Sequence, residues 1–152
     1  MFKIVLDTNV LIDALKDKSS HTWQILEWQK MGEVECFASY KILGEYKLII
    51  EREVASEKDR RELENFISDV NVIEVRHRVQ VIEYDPEDDK FVNLALSANA
   101  DFIVSSDRHL LDVEEYEGIK MVDPDEFYFL MKGEKDPNGR GEWAELFGNL
   151  FQ

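Results

Sequence analysis

Short apolar runs alternate along this chain with stretches of helical period. Lys3-Ile4-Val5-Leu6 has the continuous apolar character of a strand buried on both faces. Val10 to Leu15 follows with Leu11, Ile12, Ala14 and Leu15 in a short helix-like pattern. Ser20 predicts the cap of a second helix, which runs to Met31 with Trp23, Ile25, Leu26 and Trp28 as its apolar substance and Gly32 closing it. Val34 to Ala38 reads as a strand. Ser39 then caps a helix whose inward face is Ile42, Leu43, Tyr46, Ile49 and Ile50. Glu57 to Ile67 predicts a highly charged helix with Leu63, Phe66 and Ile67 turned inward.

The second half repeats the alternation. Asn71–Val75 and Val79–Ile82 read as extended. Asp85-Pro86 opens a helix running to about Asn99, because proline suits the first helical position. Phe102-Ile103-Val104 and Lys120-Met121-Val122 are strand runs, and Asp123-Pro124 starts a helix through Met131. Strands bounded by helices, with continuous rather than alternating apolar runs, predict an α/β fold whose mostly parallel sheet is covered on both faces. After Lys132 the pattern changes. Gly133–Gly141 contains Pro137, Asn138 and three glycines, the composition of a linker. Trp143, Leu146, Phe147, Leu150 and Phe151 then recur at helical spacing, which predicts a C-terminal amphipathic helix that docks on its own domain or on a partner. The division is therefore 1–132 for the domain and 133–152 for linker and helix.

A chain of 152 residues suits one domain, and its 44% hydrophobic content argues against disorder. The single cysteine, Cys36, excludes an internal disulfide and sits among apolar neighbours, as a buried strand thiol does. No run approaches the roughly 18 apolar residues of a membrane helix, and the first run, ending at Asp7, is too short for a secretory core. These features predict a soluble, cytoplasmic protein with no membrane partner. The formal charge of −15 runs against broad, nonspecific grip on nucleic acid. Basic residues gather only locally, at Arg76-His77-Arg78, Lys58-Asp59-Arg60-Arg61 and Arg108-His109.

That acidity has a pattern. Asp7 follows the first strand directly, and Asp107 follows Phe102-Ile103-Val104 through Ser105-Ser106. In open α/β sheets the carboxyl ends of the strands form the ligand crevice, so both carboxylates point to one place. Capping the next helix is the plain structural role for Asp7. Glu45 falls at the border of the apolar face of its helix, where a carboxylate can look into a cleft or simply be solvated. In Asp85-Pro86-Glu87-Asp88-Asp89, Asp88 lies two helical turns before Ala95 and shares its inward face. Asp89 is turned about 100° away, toward solvent. The same acids also suit a helix N-terminus, with Asp85 as its cap. Four converging carboxylates repel unless protons or cations join them. Oxygen-only ligation suits Mg²⁺ or Mn²⁺ rather than zinc, and none of His21, His77 and His109 has zinc-like spacing. Such a centre is suited to phosphodiester hydrolysis.

Three blocks carry a family resemblance: Ile4-Val5-Leu6-Asp7-Thr8-Asn9-Val10-Leu11, then Leu43-Gly44-Glu45-Tyr46, then the stretch from Asp85-Pro86-Glu87-Asp88-Asp89-Lys90-Phe91 through Ala100-Asp101-Phe102-Ile103-Val104-Ser105-Ser106-Asp107-Arg108-His109-Leu110-Leu111. In this order and spacing they resemble a PIN domain, of the toxin-like (VapC-type) branch of prokaryotic toxin–antitoxin systems, over about Phe2–Met131. The resemblance implies a three-layer α/β/α sandwich and an endoribonuclease using Mg²⁺ or Mn²⁺. It places the acidic positions on Asp7, Glu45, Asp88 and Asp107. Some relatives' spacing favours Asp89 as a ligand over Asp88. It also implies that Asn9, Ser105 and Ser106 orient ligands or substrate. RNA as substrate, a cognate antitoxin and a homodimer are the partners it implies; the tail from Gly133 lies outside its pattern.

Competing classes fit less well. A haloacid-dehalogenase-like phosphatase needs a second aspartate where Asn9 stands, and a receiver domain needs a lysine where the chain has Ser105-Ser106-Asp107. A flap-type DNA nuclease needs insertions that a chain of this length lacks. A PIN-like module that binds protein without catalysis is the alternative from a different functional class, and metal affinity separates the two.

Overall fold

The computed structural model describes residues 1–83 and 85–138. The amphipathic helix expected from Trp143 to Phe151 lies outside the described residues. Six strands form one sheet in the order β3-β2-β1-β4-β6-β5. They are β1 (Phe2–Leu6), β2 (Val34–Ala38), β3 (Asn71–Val72), β4 (Phe102–Val104), β5 (Glu115–Tyr116) and β6 (Ile119–Val122). All neighbouring pairs are parallel except β5 with β6. The helices are α1 (Thr8–Lys16), α2 (His21–Lys30), α3 (Tyr40–Glu53), α4 (Glu57–Ser68), α5 (Asp89–Ala98), α6 (Arg108–Leu111) and α7 (Pro124–Lys132). The fold is the α/β arrangement that the alternation predicts. Ile4, Val5 and Leu6, like Phe102, Ile103 and Val104, are buried at consecutive positions, so both sheet faces are covered.

Local chemistry explains where helices begin. Ser20, Ser39 and Ser56 accept from the backbone N–H groups of Trp23, Ile42 and Asp59, and Asp123 accepts from that of Glu126. Asn99, in the left-handed region at φ 52°, ends α5, and Gly133, at φ 69°, ends α7. Cys36 is buried in β2, and that burial pushes its thiol well above the usual range. No helix among the described residues is long and apolar enough to cross a membrane.

Three expectations need correction. The chain from Val79 to Ile82 forms no strand. Its N–H groups are satisfied by side chains instead: Asn93 Oδ1 accepts from Val79 at 2.7 Å, and Asp89 Oδ1 accepts from Val81 and Ile82, both at 2.8 Å. Strand 71–75 shrinks to Asn71–Val72. The helix expected from Asp85 begins with a 3₁₀ turn, Pro86–Asp88, and α5 proper starts at Asp89. Asp89 is not turned to solvent but is 6% exposed, held by the backbone it caps. The short α6 and β5 have too few residues to show a period and were not anticipated.

Helix α3 is tied to β1 by one buried contact: the Tyr46 hydroxyl donates to the Leu6 carbonyl, just before Asp7. Tyr46 is 1% exposed. Tyr46→Phe keeps the ring packing and removes this donor. It is expected to lower stability by about 1 kcal/mol, read as a shift in the denaturation midpoint at constant m-value.

Candidate metal centre

Register sets the site. Leu6 pairs with Val104 across β1 and β4, so the residues that follow, Asp7 and Ser105, emerge side by side at the carboxyl edge of the sheet. The Asp7 N–H donates to the Val104 carbonyl at 3.0 Å. Ser105, fully buried, donates from Oγ to Asp7 Oδ2 at 2.7 Å and accepts from the Asp107 N–H at 2.9 Å. One hydroxyl thus links both strand-end aspartates. Each also caps a helix: Asp7 Oδ1 accepts from Asn9 N–H at 3.3 Å, and Asp107 Oδ1 from His109 N–H at 2.9 Å. Both carboxylates therefore fill the plain role of helix cap while standing together at the sheet's carboxyl edge.

Asp88 completes the group from α5's leading turn. Its carboxyl hydrogen-bonds that of Asp107, and its Oδ2 is buried with no donor in reach. Burial, the contact with Asp107, and the charges of Asp85 and Asp7 push Asp88 up to about 8. Asp107 is held low, first by the hydrogen bond it accepts from Asp88, then by the His109 N–H. At neutral pH without metal the pair shares a proton. Asp7 is raised, mainly by burial and also by Asp107, against the hydrogen bonds from Ser105 and Asn9 and the nearby charge of Lys90.

Glu45 reaches the site from α3 as an ion pair. Lys90 Nζ lies 2.9 Å from its Oε1 and 2.8 Å from its Oε2. The remaining expected residues divide. Asn9 contributes its backbone N–H, while Ser106 is exposed and outside the Ser105 network. Asp89, the reserve ligand, spends Oδ1 on two backbone N–H groups.

Three residues of the site, Asp85, His109 and Lys90, were not singled out in the sequence. Asp85, Asp107 and His109 present ligand atoms within 4.8 Å of one another. Asp85 read as a cap and His109 as part of a basic cluster; only proximity to Asp107, two residues from His109, hinted otherwise. Lys90 lay hidden in an acidic run. The donor set suits a hard divalent cation. It has several carboxylates, one proton held at high cost, an orphaned Asp88 oxygen and a buried, unpartnered Thr8 hydroxyl beside Asp7.

The sign of the Asp88 shift gives a stability prediction for the metal-free protein. Its folded-state value lies above 3.8, so the stability it contributes is complete below about pH 4 and is lost as pH rises toward 8. Asp88→Asn retains a donor for Asp107 and carries no charge. It is expected to be more stable than wild type at pH 8 by about 1 kcal/mol after solvent screening, and to lose the advantage near pH 4. Denaturant melts in chelator at both pH values check this.

Comparison with known proteins agrees with the geometry. Among curated proteins, none matches the sequence. Similar solved structures include VapBC2 from Rickettsia felis bound to a DNA fragment from their promoter, at 16% identity and TM-score 0.54, covering 80% of this chain and 98% of that one. PAE2754 from Pyrobaculum aerophilum is similar at 17% identity and TM-score 0.59, covering 88% and 97%. DNA-bound VapBC from Salmonella typhimurium is similar at 23% identity and TM-score 0.55, covering 82% and 99%. At these identities the likeness speaks for fold. The PIN domain family model matches residues 3–109, a span that holds every carboxylate of the centre, and the chain belongs to the PIN domain family.

Proposed function

We propose that this protein is a divalent-metal-dependent endoribonuclease and the toxin partner of a toxin–antitoxin pair. The observation that carries the nuclease reading is the convergence of Asp7, Asp88 and Asp107 at the sheet's carboxyl edge, with negative charge that the chain itself does not fully balance. The toxin reading rests on the three sequence blocks and on a fold shared with chains of VapBC assemblies. An antitoxin, and a second copy of the chain, are the partners this reading adds.

In this reading Asp7, Asp88 and Asp107 hold Mg²⁺ or Mn²⁺. Asp88 is preferred over Asp89 because Asp89 Oδ1 already serves Val81 and Ile82. The bound ion supplies Lewis-acid polarisation of the phosphodiester and neutralises charge that builds on it. The chain supplies the rest. Ser105 fixes the rotamer of Asp7 and the backbone of Asp107, so neither has to reorganise when a cation or phosphate arrives. Lys90 and Glu45 set a paired charge beside Asp7. Lys41, on the first turn of α3, and Arg108, on α6, are exposed cations near the acidic edge and suit backbone phosphates. Their small number agrees with a net charge of −15 and with recognition of particular RNAs rather than broad binding.

The test is cleavage of a mixed RNA panel by wild type and Asp7→Asn, with Mg²⁺, Mn²⁺ or EDTA. Metal-dependent cutting is expected, and the variant is expected to lose at least about a hundredfold, or about 2.7 kcal/mol of transition-state stabilisation. Full activity in Asp7→Asn would remove the assignment. A folded, partner-free wild type that cuts no RNA with either metal would favour the protein-binding role for the same fold.

A further inference from the structure

The Lys90–Glu45 pair is more than a surface bridge. It joins α5 to α3, and its ammonium lies within 2.9 Å of both oxygens of one carboxylate. The side chains are only 20% and 30% exposed, so the pair is largely withdrawn from solvent. Lys90 also lies 5.3 Å from the centroid of the Phe91 ring, a second contact that fixes the ammonium. Its charge reaches Asp7, whose ionisation it favours. Both oxygens that Glu45 has to offer a cation are already facing one. A divalent ion seated there would have to expel the ammonium from a half-buried site and leave two cations in close repulsion.

Building on the metal-nuclease reading, we propose that Lys90 is the resident cation at the Glu45 limb of the centre, so that the site takes one divalent ion and Glu45 positions Lys90 instead of binding metal. The arrangement also explains the economy of the short acidic run. Within Asp88-Asp89-Lys90, one side chain is the candidate ligand, the next ties down the Val81–Ile82 backbone, and the third serves the centre as a cation. Lys90 is a positioning residue in this account: it acts through Glu45 and through its field at Asp7.

The deciding measurement is Mn²⁺ binding to the intact, RNA-free chain, followed by calorimetry and by the paramagnetic resonance of free Mn²⁺. Wild type is expected to bind a single equivalent. Glu45→Gln is expected to keep that single equivalent, with its affinity lowered by no more than the roughly 10–100-fold that a ligand's supporting contact commands. Lys90→Gln, checked for folding by circular dichroism, is expected to gain a second, weaker equivalent. Two equivalents in wild type, one of them lost in Glu45→Gln, would overturn the inference and leave the metal-nuclease reading standing. The same holds for a single equivalent that Glu45→Gln abolishes, or for a folded Lys90→Gln protein that binds as wild type does. No Mn²⁺ bound by folded wild type would overturn both. Should Lys90→Gln fail to fold, the wild-type and Glu45→Gln titrations decide alone.

Discussion

The parallel pairing of β1 with β4 is the constraint on which the rest depends. With Leu6 opposite Val104, Asp7 and Ser105 leave the sheet together, and Asp107 follows within hydrogen-bond reach of the same serine. A register shift of one residue would turn Asp7 to the other side of its strand and bury a polar residue in the core. The hydrophobic demand of Ile4, Val5 and Leu6 for the two covered faces therefore also aims the carboxylates. Tyr46 adds a lock on the same strand end, bringing α3, and with it Glu45, to the crevice.

Such an arrangement gathers like charges, and the structure shows how the fold tolerates them. Asp7 and Asp107 each lie at a helix start, where backbone N–H groups favour an anion. Lys90 balances Glu45 and eases Asp7. Asp88 is left to take up a proton when no cation is present. The remaining imbalance lies at the group a divalent ion would serve, so the electrostatic strain of the free protein and its proposed chemistry share one origin.

Much of this was legible in the sequence. Continuous apolar runs followed by Asp7 and Asp107 announced buried strands with acids at their ends, because both faces of a parallel sheet demand the same pattern. Serine caps gave the starts of α2 and α3. The register of the acidic run was harder to read. A helical wheel put Asp89 toward solvent, but the Val81–Ile82 backbone covers that flank of α5 and donates to the Asp89 carboxylate. The segment Val79–Ile82 looked like a strand because its apolar residues pack on the core. Its hydrogen bonds go to two side chains more than five residues distant, which no local pattern reveals. Lys90's pairing with Glu45, 45 positions away, and the gathering of Asp85 and His109 beside Asp107 likewise arise only from tertiary contact.

The most direct test of the central claim is a crystal of the protein soaked in Mn²⁺ and measured at a wavelength where manganese scatters anomalously. An anomalous peak is expected, bounded by carboxylate oxygens of Asp7, Asp88 and Asp107, with Lys90 still on Glu45. A well-ordered crystal with no peak at these three aspartates, or with Mn²⁺ held elsewhere on the chain, would contradict that claim.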